Sequence, residues 1–168
     1  MSPMNYDRSP TGLYRVRFQD CDPFGHLNNA RYIDYALDAR EDQLRRYYGF
    51  DTPSWTQSAG KGWVVSKMKA NYLKSILWNE EIRISTNLVE LGEGSLWVEA
   101  IFSDPHSDKL KSLVWGNFVY IDIKSGRPVR HESDLKEFLN SILYTKEWEG
   151  KEDIDRRVQS LRRNLVAV

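Results

Sequence analysis

Leu13–Gly49 reads LYRVRFQDCDPFGHLNNARYIDYALDAREDQLRRYYG, and its hydrophobic period changes part-way along. Over residues 13–19, Tyr14, Val16 and Phe18 alternate with Arg15, Arg17 and Gln19, the period of a half-buried strand. Asp20–Asn29 then concentrates Pro, Gly, Asp and Asn, which marks a structured loop. From Ala30 the apolar positions Ile33, Ala36, Leu37, Leu44, Tyr47 and Tyr48 fall on one helical stripe, interrupted by Arg40. Glu41→Arg45 and Asp42→Arg46 are spaced as i,i+4 ion pairs. Asn28 or Asn29 is a natural N-cap and Gly49 a natural stop, so a helix is predicted over about 30–48.

Outward from this unit the pattern is simpler. Residues 50–62 are expected to form a loop. Four strand-like segments follow: Trp63–Leu73, Glu81–Val89, Ser95–Ser103 and the nearly continuous apolar run Lys111–Asp122. Short turns at Gly92-Glu-Gly94 and Asp104–Lys109 separate the last three, which suggests an antiparallel meander. Ser133 is placed to cap a second helix, with Leu135, Phe138, Leu139, Ile142 and Leu143 at helical spacing. In the charged stretch from Lys146 to Arg163, continued by Leu165, Ile154, Val158 and Leu161 mark a narrow stripe. It reads as a third helix, packed on its own or a neighbouring subunit, or as a solvated tail. The order implies one α+β domain: an antiparallel sheet of about five strands wrapped around one long helix, with C-terminal helices.

Composition sets wide bounds. The chain has 168 residues, enough for one ordinary domain, and 24 basic residues balance 24 acidic ones. Formal neutrality supplies no global attraction to nucleic acid or an anionic membrane. The single cysteine, Cys21, rules out an internal disulfide framework and a multi-cysteine metal site. No stretch approaches the ~20 apolar residues of a membrane helix, and residues 1–8 lack the apolar run of a signal peptide. The expected location is cytoplasmic. Six Trp and nine Tyr fit a bulky core, an aromatic pocket or a subunit interface, and composition does not choose.

The chemistry-bearing segment is Asp20–Tyr32, DCDPFGHLNNARY. Two carboxylates, an imidazole and two amides stand in a loop that opens a helix, where free N–H groups carry partial positive charge suited to an oxyanion. A carboxylate just upstream can act there as base or nucleophile. Two other readings stay open on the residues alone: Asp20, Asp22 and the asparagines as turn formers and caps, and Asp-x-Asp with His26 as metal ligands, although no complete EF-hand loop follows. G-x-S-x-G, G-x-x-x-x-G-K-[ST], H-E-x-x-H and C-x-x-C motifs are all absent. His106, in a polar turn, and His131, beside a helix cap, are expected to be solvated.

Phe18–Tyr32, and within it Asp22-x-x-Gly25-His26-x-Asn28-Asn29-x-x-Tyr32, resembles the signature of the 4-hydroxybenzoyl-CoA thioesterase branch of the hotdog superfamily. It is also similar to the pattern of acyl-acyl-carrier-protein thioesterases. The resemblance extends more loosely over about residues 10–142, with the charged extension beyond it. It implies the hotdog fold, hydrolysis of an acyl-CoA to a carboxylic acid and free CoA, and a site between subunits of a dimer or tetramer. No metal or redox cofactor is implied, since CoA enters as part of the substrate.

Residue by residue, Asp22 matches the catalytic carboxylate, and Asn29 the position whose backbone N–H polarises the thioester oxygen. His26 and Asn28 match polar positions lining the reaction centre, with Gly25 in the turn. Gly94 and Ser95 fall where relatives contact the pantetheine or phosphate part of the ligand. Tyr32 is expected to pack and Asp20 to serve the turn. Phe24 stands where the carrier-protein enzymes carry Asn, which favours the CoA branch. A His-Phe-Pro-Gly loop of the dehydratase branch is absent. The alternatives are a carrier-protein substrate and a non-catalytic acyl-thioester-binding module.

Overall fold

The computed structural model describes residues 6–144 and 153–166. Its elements run β1 (Thr11–Arg15), α1 (Arg31–Tyr48), α2 (Thr52–Ala59), β2 (Lys61–Tyr72), β3 (Glu81–Leu91), β4 (Ser95–Ser103), β5 (Leu110–Asp122), α3 (Ser133–Ser141) and α4 (Ile154–Val166). The five strands form one antiparallel sheet in the order β1-β3-β4-β5-β2, curved around α1. This is the hotdog arrangement, and β3-β4-β5 is the expected meander.

Helix α1 ends as its sequence dictates. Gly49 adopts the left-handed conformation (φ 64°), and its N–H closes on the Arg45 and Leu44 carbonyls. The buried face is rotated slightly from the expected stripe. Tyr32, Ala36, Ala39, Gln43, Leu44 and Tyr48 are buried, while Tyr47 points outward and donates its hydroxyl to the Thr11 carbonyl. Arg40 does not interrupt this face; it is buried within it. Arg45 pairs with Asp42 and Asp51, not with Glu41 as the i,i+4 spacing suggested.

Three apolar clusters form among the described residues. One, with Val16, Tyr32, Ile82 and Phe102, lies under the first half of α1. A second, with Leu44, Tyr48, Val98, Tyr120 and Leu139, lies under the second half and meets α3. The third is on the opposite sheet face, where Val89, Trp97, Leu113 and Trp115 pack against Val158 of α4. Strand β5 is thus covered on both sides, which explains its unbroken apolar run. At the centre of this outer face Glu99, fully buried, holds Arg157 of α4 through two hydrogen bonds of 2.8 and 2.9 Å and accepts a third from Trp115 Nε1 at 2.9 Å. The C-terminal helix therefore packs on its own sheet. The stretch 145–152 lies outside the described residues.

Four local expectations need correction. The first strand stops at Arg15. Residues 18–20 form a 3-10 turn, and Phe18 leaves the core to meet Trp78 edge-on at 5.7 Å. Residues 52–59 are a helix, not a loop: Asp51 accepts the Ser54 N–H, Pro53 stands in the first turn, and Gly60 closes it in the left-handed region. Ser133 begins α3 but does not cap it; the cap position is Glu132, without a side-chain cap bond. His131 is buried, accepting from Trp63 Nε1 at Nε2 (3.2 Å), with Nδ1 3.2 Å from the Gly92 carbonyl. Burial holds its pKa below the usual histidine value.

Candidate active site

The loop between β1 and α1 is fixed by its own main chain. The Asp22 N–H donates to the His26 carbonyl (2.8 Å), and the Gly25 N–H donates to the Asp22 carbonyl (3.0 Å). Gly25 takes a positive φ of 76°, a conformation that costs glycine little. This tight path turns the Asp22 side chain back on the loop. Its Oδ1 accepts the N–H groups of Phe24 (2.9 Å) and His26 (3.1 Å). Its Oδ2 has no hydrogen-bond partner among the described residues.

Asp22, His26, Asn29 and Tyr32 line one cavity of about 200 Å³, closed on the far side by Tyr72 and Lys74 at the end of β2. Helix α1 opens onto this cavity. Asn28 Oδ1 accepts the Ala30 N–H (3.0 Å), and the Asn28 carbonyl accepts from Arg31 (2.8 Å). The Asn29 N–H has no partner among the described residues, whereas its carbonyl accepts the Tyr72 hydroxyl at 2.9 Å. Asp22, with one unpartnered carboxylate oxygen, and Asn29, with an unpartnered amide just before the helix, thus line one small space. Such a pair can attack or hydrate a carbonyl carbon while holding its oxygen.

The other expected site residues divide. His26 reaches Asp22 only through its main chain, by its N–H and its carbonyl; its ring lies beside Phe24 and makes no hydrogen bond among the described residues. Asn28 is exposed and does not line the cavity; its Oδ1 bonds Ala30, which is itself the cap position of α1 and has no side-chain cap bond, so neither asparagine is the N-cap expected from the sequence. Asp20 is turned away, its carboxylate taking the Tyr35 hydroxyl (2.8 Å) and approaching Arg31. Tyr32 packs as expected, edge-on to Tyr72, and burial pushes its phenol up to about 12, so it stays protonated.

Gly94 and Ser95 are not brought to Asp22 within one chain. Ser95 pairs with Val119, and Val119 with Val64, eight residues before Tyr72 on β2 and roughly 25 Å away along the strand. Gly94 also has a structural reason to be glycine, because a Cβ there would sit 2.3 Å from the Val129 carbonyl oxygen.

Tyr72 and Lys74 were not singled out in the sequence. Tyr72 meets Asn29 across 43 positions, and no local spacing signals such a contact. An open groove of about 1050 Å³ between β1 and the outer side of α1 is lined by charges of both signs and not by Asp22. Among the described residues no group of three or more His, Cys, Asp or Glu is placed to hold a metal ion, and no helix is long and apolar enough to cross a membrane.

Residues 16–139 match the family model described as the thioesterase-like superfamily. The chain belongs to that superfamily. Thioester hydrolysis, expected from the Asp20–Tyr32 loop, comes with this membership. One curated relative of this thioesterase-like chain is the long-chain acyl-CoA thioesterase FadM of Escherichia coli, 26% identical over 130 residues that span 77% of this chain and 96% of that protein. The crystal structure of YbaW from Escherichia coli superposes with a TM-score of 0.69 at 24% identity, covering 80% of this chain and 98% of that one. A thioesterase from Thermus thermophilus, complexed with coenzyme A and zinc, superposes at 0.65 with 26% identity, covering 83% and 96%.

Proposed function

We propose that this protein hydrolyses an acyl-CoA to a carboxylic acid and free CoA, using Asp22 as base or nucleophile and the Asn29 N–H as oxyanion donor. The observation that carries the reading is the shared cavity at the start of α1, lined by both Asp22 and Asn29, in which a carboxylate oxygen of the one and the backbone N–H of the other have no partner among the described residues. The thioester carbonyl oxygen accepts from the Asn29 N–H, and negative charge develops there as the carbon becomes tetrahedral. Asp22 Oδ2 either takes the proton from an attacking water or attacks the carbon itself, to be released by water afterwards. Collapse of the intermediate expels the CoA thiolate, which is protonated from the site. A thioester is already an activated acyl group, so side chains and one amide suffice. FadM acts on long-chain acyl-CoA, and its similarity supports CoA over a carrier protein as the thiol.

The reading includes self-association through β2. That strand is at the end of the sheet, with Val64 and Val65 exposed, and a long edge of this kind is prone to pair. Antiparallel pairing of two copies about the middle of β2 sets Tyr72 opposite Lys61 of a second copy. The row carrying Val64, Val119 and Ser95 of the second copy then lies next to the Asp22 cavity, which gives Gly94 and Ser95 their place near the substrate.

The test is release of free thiol from a panel of acyl-CoAs and acyl-carrier proteins, with Asp22→Asn as the comparison. Turnover should fall at least ~100-fold in a folded mutant, the scale of a lost general base. Near wild-type turnover by Asp22→Asn on the best substrate ends the assignment.

A further inference from the structure

A second cavity, of about 110 Å³, lies under the C-terminal half of α1, where α2, α3 and the sheet meet. Leu44, Trp63 and Phe138 give it apolar walls, yet Arg40, Glu41 and Thr52 also line it. All three polar groups are poorly partnered. Glu41 Oε2 and the Thr52 hydroxyl are buried with no hydrogen bond among the described residues. Arg40 is 8% exposed, and its Nη1 reaches the Thr86 carbonyl and hydroxyl at a long 3.4 Å each, with the Tyr48 phenol nearby. No carboxylate lies within salt-bridge distance of it among the described residues. Buried polar groups left in this state are costly, and such costs persist where a ligand meets them.

The chemistry of the missing partner follows from the signs of the charges. A carboxylate would suit Arg40 and be repelled by Glu41; an ammonium would suit Glu41 and be repelled by Arg40. A neutral hydroxyl accepts from the guanidinium and donates to the carboxylate at once, and Thr52 can serve it in either sense. The volume is small, about three to four times the ~30 Å³ share of one water, so it takes one end of a ligand and not the whole. Trp63 carries this cavity at the beginning of β2, the end that edge-to-edge pairing brings beside the Asp22 cavity of the other copy.

We propose that this cavity receives the far end of the substrate's acyl group, and that this end carries a hydroxyl bound by Arg40, Glu41 and Thr52. The proposal rests on the thioesterase reading for its connection to catalysis. It does not rest on that reading for the binding itself.

The experiment compares straight-chain acyl-CoAs of medium length with and without a terminal hydroxyl. Free thiol release should give a kcat/KM ~10- to 100-fold higher for the hydroxylated member, the range of a hydrogen bond to a charged group. Thr52→Val and Glu41→Met, which keep side-chain volume, should each draw that ratio toward one. Equal kcat/KM for the pair, or a ratio that neither substitution moves, overturns the proposal. The corresponding free acids are titrated in parallel, followed by Trp63 fluorescence. If neither thioester is cleaved but the hydroxy acid binds more tightly in a Thr52-dependent way, the catalytic reading has failed and the cavity assignment stands. Equal binding of the two acids overturns the assignment.

Discussion

Arg157→Ala removes the cation paired with Glu99 on the outer face of the sheet. The side chains of Arg157 and Glu99 are 5% and 0% exposed, and the guanidinium contacts both carboxylate oxygens at 2.8 and 2.9 Å. After the substitution Glu99 keeps Trp115 Nε1 at 2.9 Å and a long contact to Asn87 at 3.4 Å, insufficient for a buried carboxylate. Breaking such a pair from one side costs about 3–5 kcal/mol. At ~2–4 °C per kcal/mol for a chain of this size, the melting temperature should fall by roughly 6–20 °C. The loss has a ceiling, because α4 can detach and let water reach Glu99; the penalty cannot exceed the free energy of undocking that helix. Calorimetry at fixed protein concentration measures the fall, and limited proteolysis in the C-terminal segment reports detachment. The pair Glu99→Leu with Arg157→Leu separates charge from packing and should recover most of the loss. If the double variant melts as low as Arg157→Ala, the uncompensated carboxylate is not the cause. An Arg157→Ala protein within about 1 °C of wild type would dismiss the reasoning altogether.

Three further outcomes are expected. Asn29→Ala keeps the backbone N–H and should lower turnover modestly, by ~10-fold; Asn29→Pro removes the donor and should cost on the order of 100- to 1,000-fold, with circular dichroism confirming the fold of both. Alanine and proline variants equally inactive would shift the role to the side chain. His131 has a folded pKa below its unfolded value of ~6.5, so its contribution to stability is complete above that pH and is lost as pH falls through ~6.5 toward the folded value. Thermal melts of His131→Gln between about pH 5 and 7 should show a shallower slope than wild type, and identical slopes would remove the histidine from this role. Light scattering coupled to size exclusion should give a dimer or larger at micromolar concentration, and a monomer that still cleaves thioesters contradicts pairing through β2.

Periodicity located α1, β2, β3 and β4, and an unbroken apolar run located β5; all but β2 end at a Gly or Asp turn. Residues 50–62 were harder because α2 buries no residue fully and so leaves no apolar stripe; its signals are a cap at Asp51, Pro53 and Gly60. Phe18 continued the alternation of β1 by coincidence, and its partner Trp78 is sixty positions away. The loop Asp20–Asn29 was legible as a turn opening a helix, because turn chemistry acts over two to four residues, whereas singling out Asp22 and Asn29 within it rested on the resemblance to thioesterases. Tyr72 closing the cavity, Glu99 waiting for Arg157, and the burial of His131 all depend on contacts across many tens of residues. The crowding that holds position 94 to glycine comes from Val129, thirty-five positions further along, and no local spacing signals it.

The two N–H groups on Asp22 Oδ1 make the carboxylate one-sided. Turning the side chain away from the Phe24 and His26 amides would break both bonds, so its conformer is set before any substrate arrives. A glutamate at this position would retain the charge, but the extra methylene would carry the carboxylate past the amides of Phe24 and His26, and the loop would lose the bonds that give it its shape. The same atoms that make the turn rigid therefore hold residue 22 to aspartate, through geometry and independently of its acidity.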